Sequence, residues 1–338
     1  MLIRDPIPLR PRTKPPVLPV KTFDGKRSFQ PDHRRATISI MNVYEGDMPL
    51  PKGVKVKWMR IVQVLPQLLT RINMEKTKLI SYADESVGRI PLGVVPVEDD
   101  GSVFCEAPVG KPIYFQLLDE NGMAVQSMRT VTYVHPGEQM ACIGCHEDKW
   151  GAPKPVVNPA ALRRMPSKIM PEVSSGTAPF NFKQLVKTPV FDKKCVECHK
   201  KHDKAPDMTY ASLARPDLLF TLHGTAFQFR GNDMCLHRLG VGGSRTTPGR
   251  FGAQASGFME SLKKDYHKDV KLTADELRRI TLWLDMNGNE ICWINDDPTI
   301  VDAQKRGETV WPPERFVDPN NVPAVETRRP LLNAASGN

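Results

Sequence analysis

The sequence predicts an α+β fold, in which a β-sandwich-like domain is followed by a mainly α-helical domain. Residues 54–64 place most of their apolar side chains on one parity, which is the period of a strand with one buried face. The pairs Asp100-Gly101 and Asn121-Gly122 each separate two strand-like runs, and such pairs favour tight hairpin turns. Residues 273–288 instead repeat apolar positions at helical spacing. A chain of 338 residues is long enough for roughly two domains.

Composition divides the chain into five segments. Residues 1–35 are rich in proline, which predicts an extended connector. Residues 36–150 carry the strand signals of a β-rich middle domain, whereas residues 151–178 are rich in Pro, Ser and Gly and indicate a linker. The helical signals fall within residues 179–300. Residues 301–338 are polar and proline-rich, which predicts an extended tail.

The first strand of the middle domain is predicted to be half-buried. Only Arg60 interrupts the apolar parity of this strand, so one face is expected on a core and the other in solvent. Further along, the two Asx-Gly pairs predict two hairpins, because these residues accept the positive φ of tight turns. The apolar positions of the strand are Val54, Val56, Trp58, Val62 and Val64.

The clearest predicted helix lies near the end of the second domain. Thr273 is the predicted N-cap, and Glu276, three residues later, completes a capping box. Asn287-Gly288 provides a place for the helix to end. The apolar stripe of this helix consists of Leu277, Ile280 and Leu284.

Charge and hydropathy narrow the classes of partner. The net charge is +9, but basic and acidic residues are scattered together, which argues against a nucleic-acid site and is compatible with an acidic redox partner protein. No apolar run approaches the ~20 residues of a membrane span. The glycine-rich stretch 240–257 lacks the Lys and the spacing of a phosphate-binding loop.

The pattern Cys-x-x-Cys-His occurs twice in a chain with seven cysteines, in "ACIGCHEDKW" and in "FDKKCVECHK". On one helical turn the two cysteines share a face, so that each can add to one vinyl group of a haem while the histidine binds the iron as proximal ligand. The pattern therefore predicts two haem c groups, one at the end of the β-rich domain and one in a helical cytochrome c domain. The residues are Cys142, Cys145 and His146 for the first haem, and Cys195, Cys198 and His199 for the second.

Zinc binding and thiol redox chemistry are the alternatives for these cysteines. Paired zinc knuckles usually lie about 15–20 residues apart, closer than the two pairs here, and zinc gives no reason for a histidine after both. A thioredoxin-like pair requires a βαβ setting, which neither motif has. The pattern therefore favours haem.

The sixth ligand of each iron decides between electron transfer and catalysis. For the second haem we expect His267, just before the capped helix, with His223 as the alternative. His202 is too close to its own motif to reach the opposite haem face, and His135 is expected to order a local turn. For the first haem no distal ligand is predicted, and its iron is left open. His33, His237 and the fourteen methionines complete the set of candidates.

Haem c attachment takes place outside the cytoplasm, so a periplasmic or equivalent compartment is expected. The opening residues lack the continuous apolar region of a signal peptide. Together these observations predict a chain that is incomplete at its N-terminus. Three cysteines have no predicted role, and their odd number leaves at least one of them unpaired within the chain. They are Cys105, Cys235 and Cys292.

Nearly the whole chain resembles hydrazine synthase alpha-subunit-like proteins. The resemblance is carried by "RDPIPLRPRTKPPVLP" and by "GSVFCEAPVGKPIYFQLLDENGMAVQSMRTVTYVHPGEQMACIGCHE", which is similar to their middle domain. The stretches "FDKKCVECHK" and "TTPGRFGAQASGFMESLKKDYHKDVKLTADELRRITLWLDMN" are similar to their C-terminal haem domain. Members of this family carry a β-propeller before the proline-rich connector, so the resemblance implies a β-propeller domain or subunit as a partner.

The resemblance also implies different roles for the two haems. The first, at Cys142, is implied to be reactive, and the second, at Cys195, is implied to relay electrons with two histidine ligands. In the synthase a tyrosine four residues after the first motif's histidine binds the active iron, whereas this chain has Trp150 there.

The leading hypothesis is therefore a dihaem c-type cytochrome that acts in electron transfer as the redox part of a larger oxidoreductase. The alternative is a catalytic oxidoreductase in which the first haem is an open site for a small nitrogen or oxygen species. A third hypothesis is an interaction module whose β-rich domain binds a propeller partner.

Overall fold

The structure, a computed structural model, describes most of the chain from residue 36 to residue 312. The predicted connector 1–35 lies outside the described residues, as do His146, His223 and the last part of the predicted tail. The described residues are 36–65, 88–128, 130–145, 150–151, 158–179, 181–203, 205, 208–209, 246–286, 288, 291, 293 and 297–312.

Two β-sheets form the first half of the described chain. One sheet has the strand order β4-β1-β7, with β1 antiparallel to β4 and parallel to β7. The other has the order β3-β2-β5-β6 and is antiparallel throughout. Buried side chains of both sheets belong to one apolar core. The strands are β1 Ala36–Ile40, β2 Val56–Val64, β3 Arg89–Pro96, β4 Val103–Ala107, β5 Ile113–Asp119, β6 Ala124–Ser127 and β7 Gln139–Cys142.

Helices form most of the second half, which confirms the predicted α+β class. In the described residues none of them has the length and apolar character needed to cross a bilayer. They are a 3₁₀ turn Ala160–Arg163, a π-helix Lys183–Phe191, α1 Asp192–Lys194, α2 Val196–His199, α3 Gly252–Ala255, α4 Gly257–Ser261, a 3₁₀ turn Asp265–His267, α5 Ala274–Asp285 and α6 Pro298–Arg306.

One of the two predicted hairpins is confirmed and the other is wrong. Asn121-Gly122 joins β5 to β6, which pair antiparallel, and Gly122 has a φ of 75°. Asp100-Gly101 also forms a turn, with a φ of 82° at Gly101, but it joins β3 to β4, which belong to different sheets. Here the turn carries the chain from one sheet to the other, because β4 pairs with β1 and β3 with β2.

The predicted half-burial of β2 is wrong, because β2 is a central strand covered on both faces. It lies between β3 and β5, and side chains of both parities are fully buried, including Ile61 and Val62. A bulge falls between these two residues and shifts the register with β3. Arg60, the exception in the apolar pattern, is also fully buried.

The helix α5 begins as the sequence predicts. The Thr273 hydroxyl accepts from the Glu276 N–H at 3.2 Å, and the Glu276 carboxylate accepts from the Thr273 N–H at 2.8 Å. Ile280 and Leu284 of the predicted stripe are buried. Trp283, on the same helix, packs against Phe182, with ring centroids 5.0 Å apart. The helix is therefore anchored by aromatic packing as well as by its cap.

A buried ionic cluster joins the sheets to α5. Arg60 of β2 donates to Asp285 at 2.9 Å and to Gln116 at 2.8 Å. It also donates to both carboxylate oxygens of Glu172, from Nε at 2.7 Å and from Nη2 at 2.5 Å. Burial opposes the charge of Arg60, but the two carboxylates outweigh it and raise its pKa. Asp285 also accepts from the N–H groups of Ala124 and Ala253. Both halves of the described chain thus share one fully hydrogen-bonded charge cluster.

The predicted linker is described from residue 158 onward and lies along both sheets. Met170 bridges to Val94, and Ser167 bridges to Cys105. At Gly93, φ is 136° and a Cβ would lie 2.2 Å from the Met170 carbonyl oxygen. This close approach requires glycine, so the stretch is held against the second sheet.

Candidate functional site

The second Cys-x-x-Cys-His motif lies on helical backbone. Cys195 stands between α1 and α2, and Cys198 and His199 lie within α2. The His199 N–H donates to the Cys195 carbonyl at 3.0 Å, which is the i to i+4 bond of an α-helix. The helical turn predicted for this motif is therefore present.

A cavity of about 530 Å³ opens beside this motif. Its volume falls in the range of roughly 300–1,000 Å³ typical of cofactor pockets. The second motif contributes both cysteines and His199, and α4 and the following segment contribute Phe258, Leu262 and His267. The pocket is thus apolar on one wall and holds two imidazoles, a lining that fits a haem with two histidine ligands.

The two histidines of this cavity lie close together with nearly parallel rings. The ring centroids of His199 and His267 lie 6.1 Å apart, and the ring planes differ by 10°. Two imidazoles that bind one metal ion from opposite sides, with metal–nitrogen bonds of about 2.0–2.1 Å, have centroids separated by about 6 Å. The spacing therefore leaves room for one metal atom between the rings and fits the group that the motif predicts.

The His267 ring is oriented by a hydrogen bond to a backbone carbonyl. Its Nδ1 lies 2.8 Å from the Ser261 carbonyl oxygen, so Nδ1 carries the proton that is donated there. The remaining Nε2 then has a free lone pair for a metal. Tyr266 packs its ring edge-on to His267 at 4.7 Å and is 72% exposed. The surface of the molecule thus comes close to the His267 side chain.

The other predicted candidates for the sixth ligand either do not line this cavity or lie outside the described residues. His202 is exposed and lies three residues beyond the end of α2. His135 lies in a turn, where its N–H donates to Glu138 at 2.7 Å and its ring contacts Tyr133. The alternatives His33, His223 and His237 lie outside the described residues, as do Cys235 and Cys292.

The first motif lies on extended backbone, contrary to the predicted helical turn. Cys142 is the last residue of β7, which runs parallel to β1. The chain then bends through Ile143 and Gly144 to Cys145. Pairing with β1 continues past the strand end, because the N–H groups of Met41 and Asn42 donate to Cys142 and Ile143. These ladder bonds use the carbonyls that a helix would need.

Two glycines set the close contact between this motif and the loop after β1. The Cys145 N–H donates to the Glu45 carbonyl at 2.8 Å. A Cβ on Gly144 would lie 2.2 Å from that carbonyl oxygen, and one on Gly46 would lie 2.7 Å from the Cys145 carbonyl oxygen. The loop at residues 41–48 and the motif are therefore locked together by backbone contacts.

A second cavity of about 430 Å³ adjoins the first motif. Both Cys142 and Cys145 line it, even though they do not share a helical turn. Among the described residues, its lining contains no histidine, but it contains the methionines Met48, Met59, Met128 and Met140. Sequence reasoning missed this methionine-lined pocket, because its members are scattered over four separate segments.

Burial affects the chemistry of the cysteine thiols. It raises the pKa of Cys195 to about 11 and that of Cys105 to about 12. A redox-active thiol pair requires a lowered pKa. Cys105 is fully buried on β4 and lies apart from both cavities, so it behaves as a small apolar residue of the core.

Comparison with known proteins identifies relatives of this chain. Residues 54–147 match the family model "Hydrazine synthase alpha subunit middle domain". The chain is 40% identical to hydrazine synthase subunit alpha of Kuenenia stuttgartiensis over 55 residues. This aligned stretch covers 16% of this chain and 7% of the relative. The resemblance predicted from the motifs is confirmed.

A solved structure of Kuenenia stuttgartiensis hydrazine synthase has a similar fold. The TM-score is 0.55 at 18% identity, over 81% of this chain and 45% of the solved one. The chain thus spans less than half the length of the relatives that it matches. At this identity the structural match shows the fold alone.

Proposed function

We propose that this hydrazine synthase alpha-like protein is a dihaem c-type cytochrome that transfers electrons as the redox part of a larger oxidoreductase. The observation that carries the proposal is the pair of nearly parallel imidazoles, His199 and His267, across the cavity that holds Cys195 and Cys198. Two haem c groups, bound covalently when present, supply one-electron chemistry.

The roles of the second-site residues follow from their placement. Cys195 and Cys198 anchor the group covalently through thioethers, and His199 is the proximal ligand. His267 is the distal ligand, with its tautomer set by the Ser261 carbonyl. An iron with two imidazole ligands has no free position for substrate, so this site suits electron transfer and not catalysis.

The thiols support haem over thiol redox chemistry. Because burial raises the pKa of Cys195 to about 11, this thiol stays protonated near neutral pH. A disulfide-exchange centre needs the thiolate. Addition to a haem vinyl group uses both cysteines of each motif and leaves no thiol to titrate.

Partners and compartment follow from the same proposal. The described lining of the second cavity includes Lys193, Lys194 and Lys271 and one carboxylate, Asp269, and Lys194 also lies 3.8 Å from Glu276. This excess of positive charge favours an acidic redox partner protein. A periplasmic or equivalent compartment is proposed because haem c is attached there. A β-propeller domain or subunit is the further partner proposed from the relatives.

A catalytic role at the first site is the second candidate function. The observation in its favour is the cavity beside Cys142 and Cys145, whose wall includes Asp47, Thr130 and Thr132. Such a pocket can admit a small nitrogen or oxygen species. Trp150 stands where the synthase has a tyrosine ligand, and it is 86% exposed. An indole cannot bind iron in that way, so we do not extend hydrazine formation to this chain.

The first experiment counts the haems. The chain is produced in a host that matures c-type cytochromes, and the pyridine haemochrome is measured after denaturation. Two covalent haems per chain are expected. The pairs Cys142→Ser/Cys145→Ser and Cys195→Ser/Cys198→Ser should each remove half of the signal. Absence of covalent haem from the intact chain contradicts the proposal.

The second experiment tests the ligand pair. His267→Ala should convert half of the haem from low-spin to high-spin and allow that half to bind carbon monoxide after reduction. His202→Ala, three residues beyond the proximal ligand, is the matched control and should leave the spectrum unchanged. An unchanged spectrum in His267→Ala would rule out His267 as the ligand.

A further inference from the structure

We propose that the exposed face around Tyr266 is the surface on which an acidic one-electron carrier protein docks to exchange electrons with the second haem. The inference rests on the proposed function and deepens it, because it assigns the redox partner to one surface and one contact residue. We call this surface the Tyr266 face. It consists of Tyr266 and the exposed lysines that flank it in sequence, Lys263, Lys264, Lys268 and Lys271.

Tyr266 connects the solvent to the His267 imidazole. Its ring stands edge-on to that imidazole, with centroids 4.7 Å apart, while 72% of the residue is exposed. Of the large apolar and aromatic side chains that are exposed in the described residues, Tyr266 is the one that lines the second cavity. Single exposed apolar residues are common on protein surfaces, so exposure alone does not identify an interface. Contact with the proposed distal ligand is what distinguishes Tyr266.

The backbone of this segment fixes the positions of both rings. Tyr266 and His267 lie in the 3₁₀ turn Asp265–His267, and the His267 N–H donates to the Lys264 carbonyl at 2.8 Å. The His267 ring is held from its other end by the Ser261 carbonyl, 2.8 Å from Nδ1. A partner that covers Tyr266 is therefore separated from the His267 ring by one side chain.

The charges of the Tyr266 face favour an acidic partner. Its lysines are exposed, and within the described part of the chain none of them forms an ion pair with a carboxylate. Lys193 and Lys194 add positive charge from the lining of the same cavity. The lysines outnumber the neighbouring carboxylates, which are Glu260, Asp265, Asp269 and Glu276. The net charge of the chain is +9, so a second copy would be repelled from this face.

Such a surface fits a transient redox encounter. Complexes between electron-transfer proteins are small and weak, and complementary charge raises their rate of association. Tyrosine is enriched at the centres of interfaces, where one aromatic contact contributes much of the affinity. The lysines would therefore attract the carrier and Tyr266 would make the close contact. The exchange moves one electron and involves no proton or covalent bond.

The test uses reduced plant-type ferredoxin, an acidic one-electron donor, as the probe. Stopped-flow absorption follows the reduction of ferric haem in the full chain, and the second-order rate constant should fall at least about tenfold from low to high salt. Lys264→Glu/Lys268→Glu should lower this rate constant roughly tenfold at low salt and have little effect at high salt, where the charges are screened. Tyr266→Ala should lower it about fivefold at both salt concentrations, and Tyr266→Phe should retain most of the rate.

The chain offers a matched control for each variant. Tyr133 is 55% exposed and also stands edge-on to a histidine, His135, with centroids 5.1 Å apart, but it does not line the second cavity. Tyr133→Ala should leave the rate constant unchanged. Lys305→Glu makes a charge change at an exposed position of α6 and should have little effect. Dithionite is a small reductant that needs no docking surface, and it should reduce all variants at the same rate.

Three outcomes would overturn the inference. The first is a ferredoxin rate constant that Tyr266→Ala leaves unchanged, and the second is an equal loss in Tyr133→Ala. The third is salt-sensitive binding to phosphatidylglycerol vesicles through these lysines while the ferredoxin reaction does not depend on them, which would assign the face to a membrane.

The rates are read on protein whose pyridine haemochrome shows two haems per chain. If Tyr266→Ala alters the spectrum of the second haem, the lysine variants still decide the question, because they leave the ring in place. A protein without haem, or an unchanged spectrum in His267→Ala, instead contradicts the proposed function itself, so the two failures are distinguishable.

Discussion

The two Cys-x-x-Cys-His motifs have the same spacing but lie on different backbones. The second is on a helical turn, with the His199 N–H bonded to the Cys195 carbonyl at 3.0 Å. The first leaves a β-strand, and its carbonyls are paired with the strand β1 and the loop that follows it. Each motif nevertheless places its two cysteines in the wall of its own cavity. The same cysteine spacing therefore occurs on two different backbones, and the surrounding fold decides which side chains line the cavity beside each motif.

The parts of the fold that carry the two sites are joined by one buried ionic cluster. The sheets that carry the first motif and the helix α5 that supports the second meet at the cluster of Arg60, Glu172 and Asp285. Their side chains are at most 2% exposed. A buried charge that loses its partner is costly, so we expect this cluster to couple the two halves.

The largest effect should come from breaking this coupling. Arg60→Met leaves the Asp285 carboxylate buried without its cation and leaves Glu172 with only the more distant Arg278, 3.8 Å away. The loss should lower the free energy of unfolding by about 3–5 kcal/mol. Hydrogen exchange followed by mass spectrometry should show that β2, β5 and α5 lose protection together. If only one half loses protection, the two sites lie on independent units.

A surface ion pair provides the control for this variant. Arg164 donates to Glu98 at 2.8 Å, but both side chains are about one third exposed, at 33% and 31%. Solvent screens such a pair, so Arg164→Met should cost no more than about 1 kcal/mol. A comparable loss of stability in both variants would mean that burial of the cluster is not what matters.

A smaller and more local effect is expected at the first site. Gly144→Ala would place a Cβ 2.2 Å from the Glu45 carbonyl oxygen, so the loop and the motif must separate. Overpacking of this kind costs about 1–3 kcal/mol. The absorption and potential of the first haem should change, while the signals of the second remain as in the wild type. Changes at both haems would contradict the separation of the two sites.

Gly53→Ala is the control for the first-site variant. Gly53 has a φ of 83° and nothing within 4 Å of the position of an added Cβ. The substitution therefore imposes only the backbone cost of a left-handed residue, about 1 kcal/mol. It should lower stability slightly and leave both haem spectra unchanged.

Local patterns could be predicted from the sequence, and long-range placements could not. The capping box at Thr273 and the β5–β6 turn at Asn121-Gly122 depend on neighbours within a few residues, and both are present. The turn at Asp100-Gly101 is equally local, but the sheet membership of its flanking strands depends on β1 and β2, far away in the chain. Turn chemistry alone therefore predicted a hairpin that does not exist.

The candidate sites show the same division. The cysteine spacing and the position of His267 before a capped helix were visible in the sequence, and the structure brings His199 and His267 together. Arg60 interrupted the apolar pattern of β2 without revealing its partners, because Glu172 and Asp285 come from other segments.

The smallest expected effect tests whether the second site depends on its supporting helix. Thr273→Ala removes the hydroxyl that accepts from the Glu276 N–H, and the loss of such a cap costs about 1 kcal/mol. Thr273→Ser keeps the oxygen and should retain most of this stability. Because His267 lies in the turn just before the helix, fraying of its start should increase the fraction of high-spin haem at the second site on warming. The spin state of the first haem should not change. A change at the first haem alone would contradict the prediction that α5 stabilises the second site.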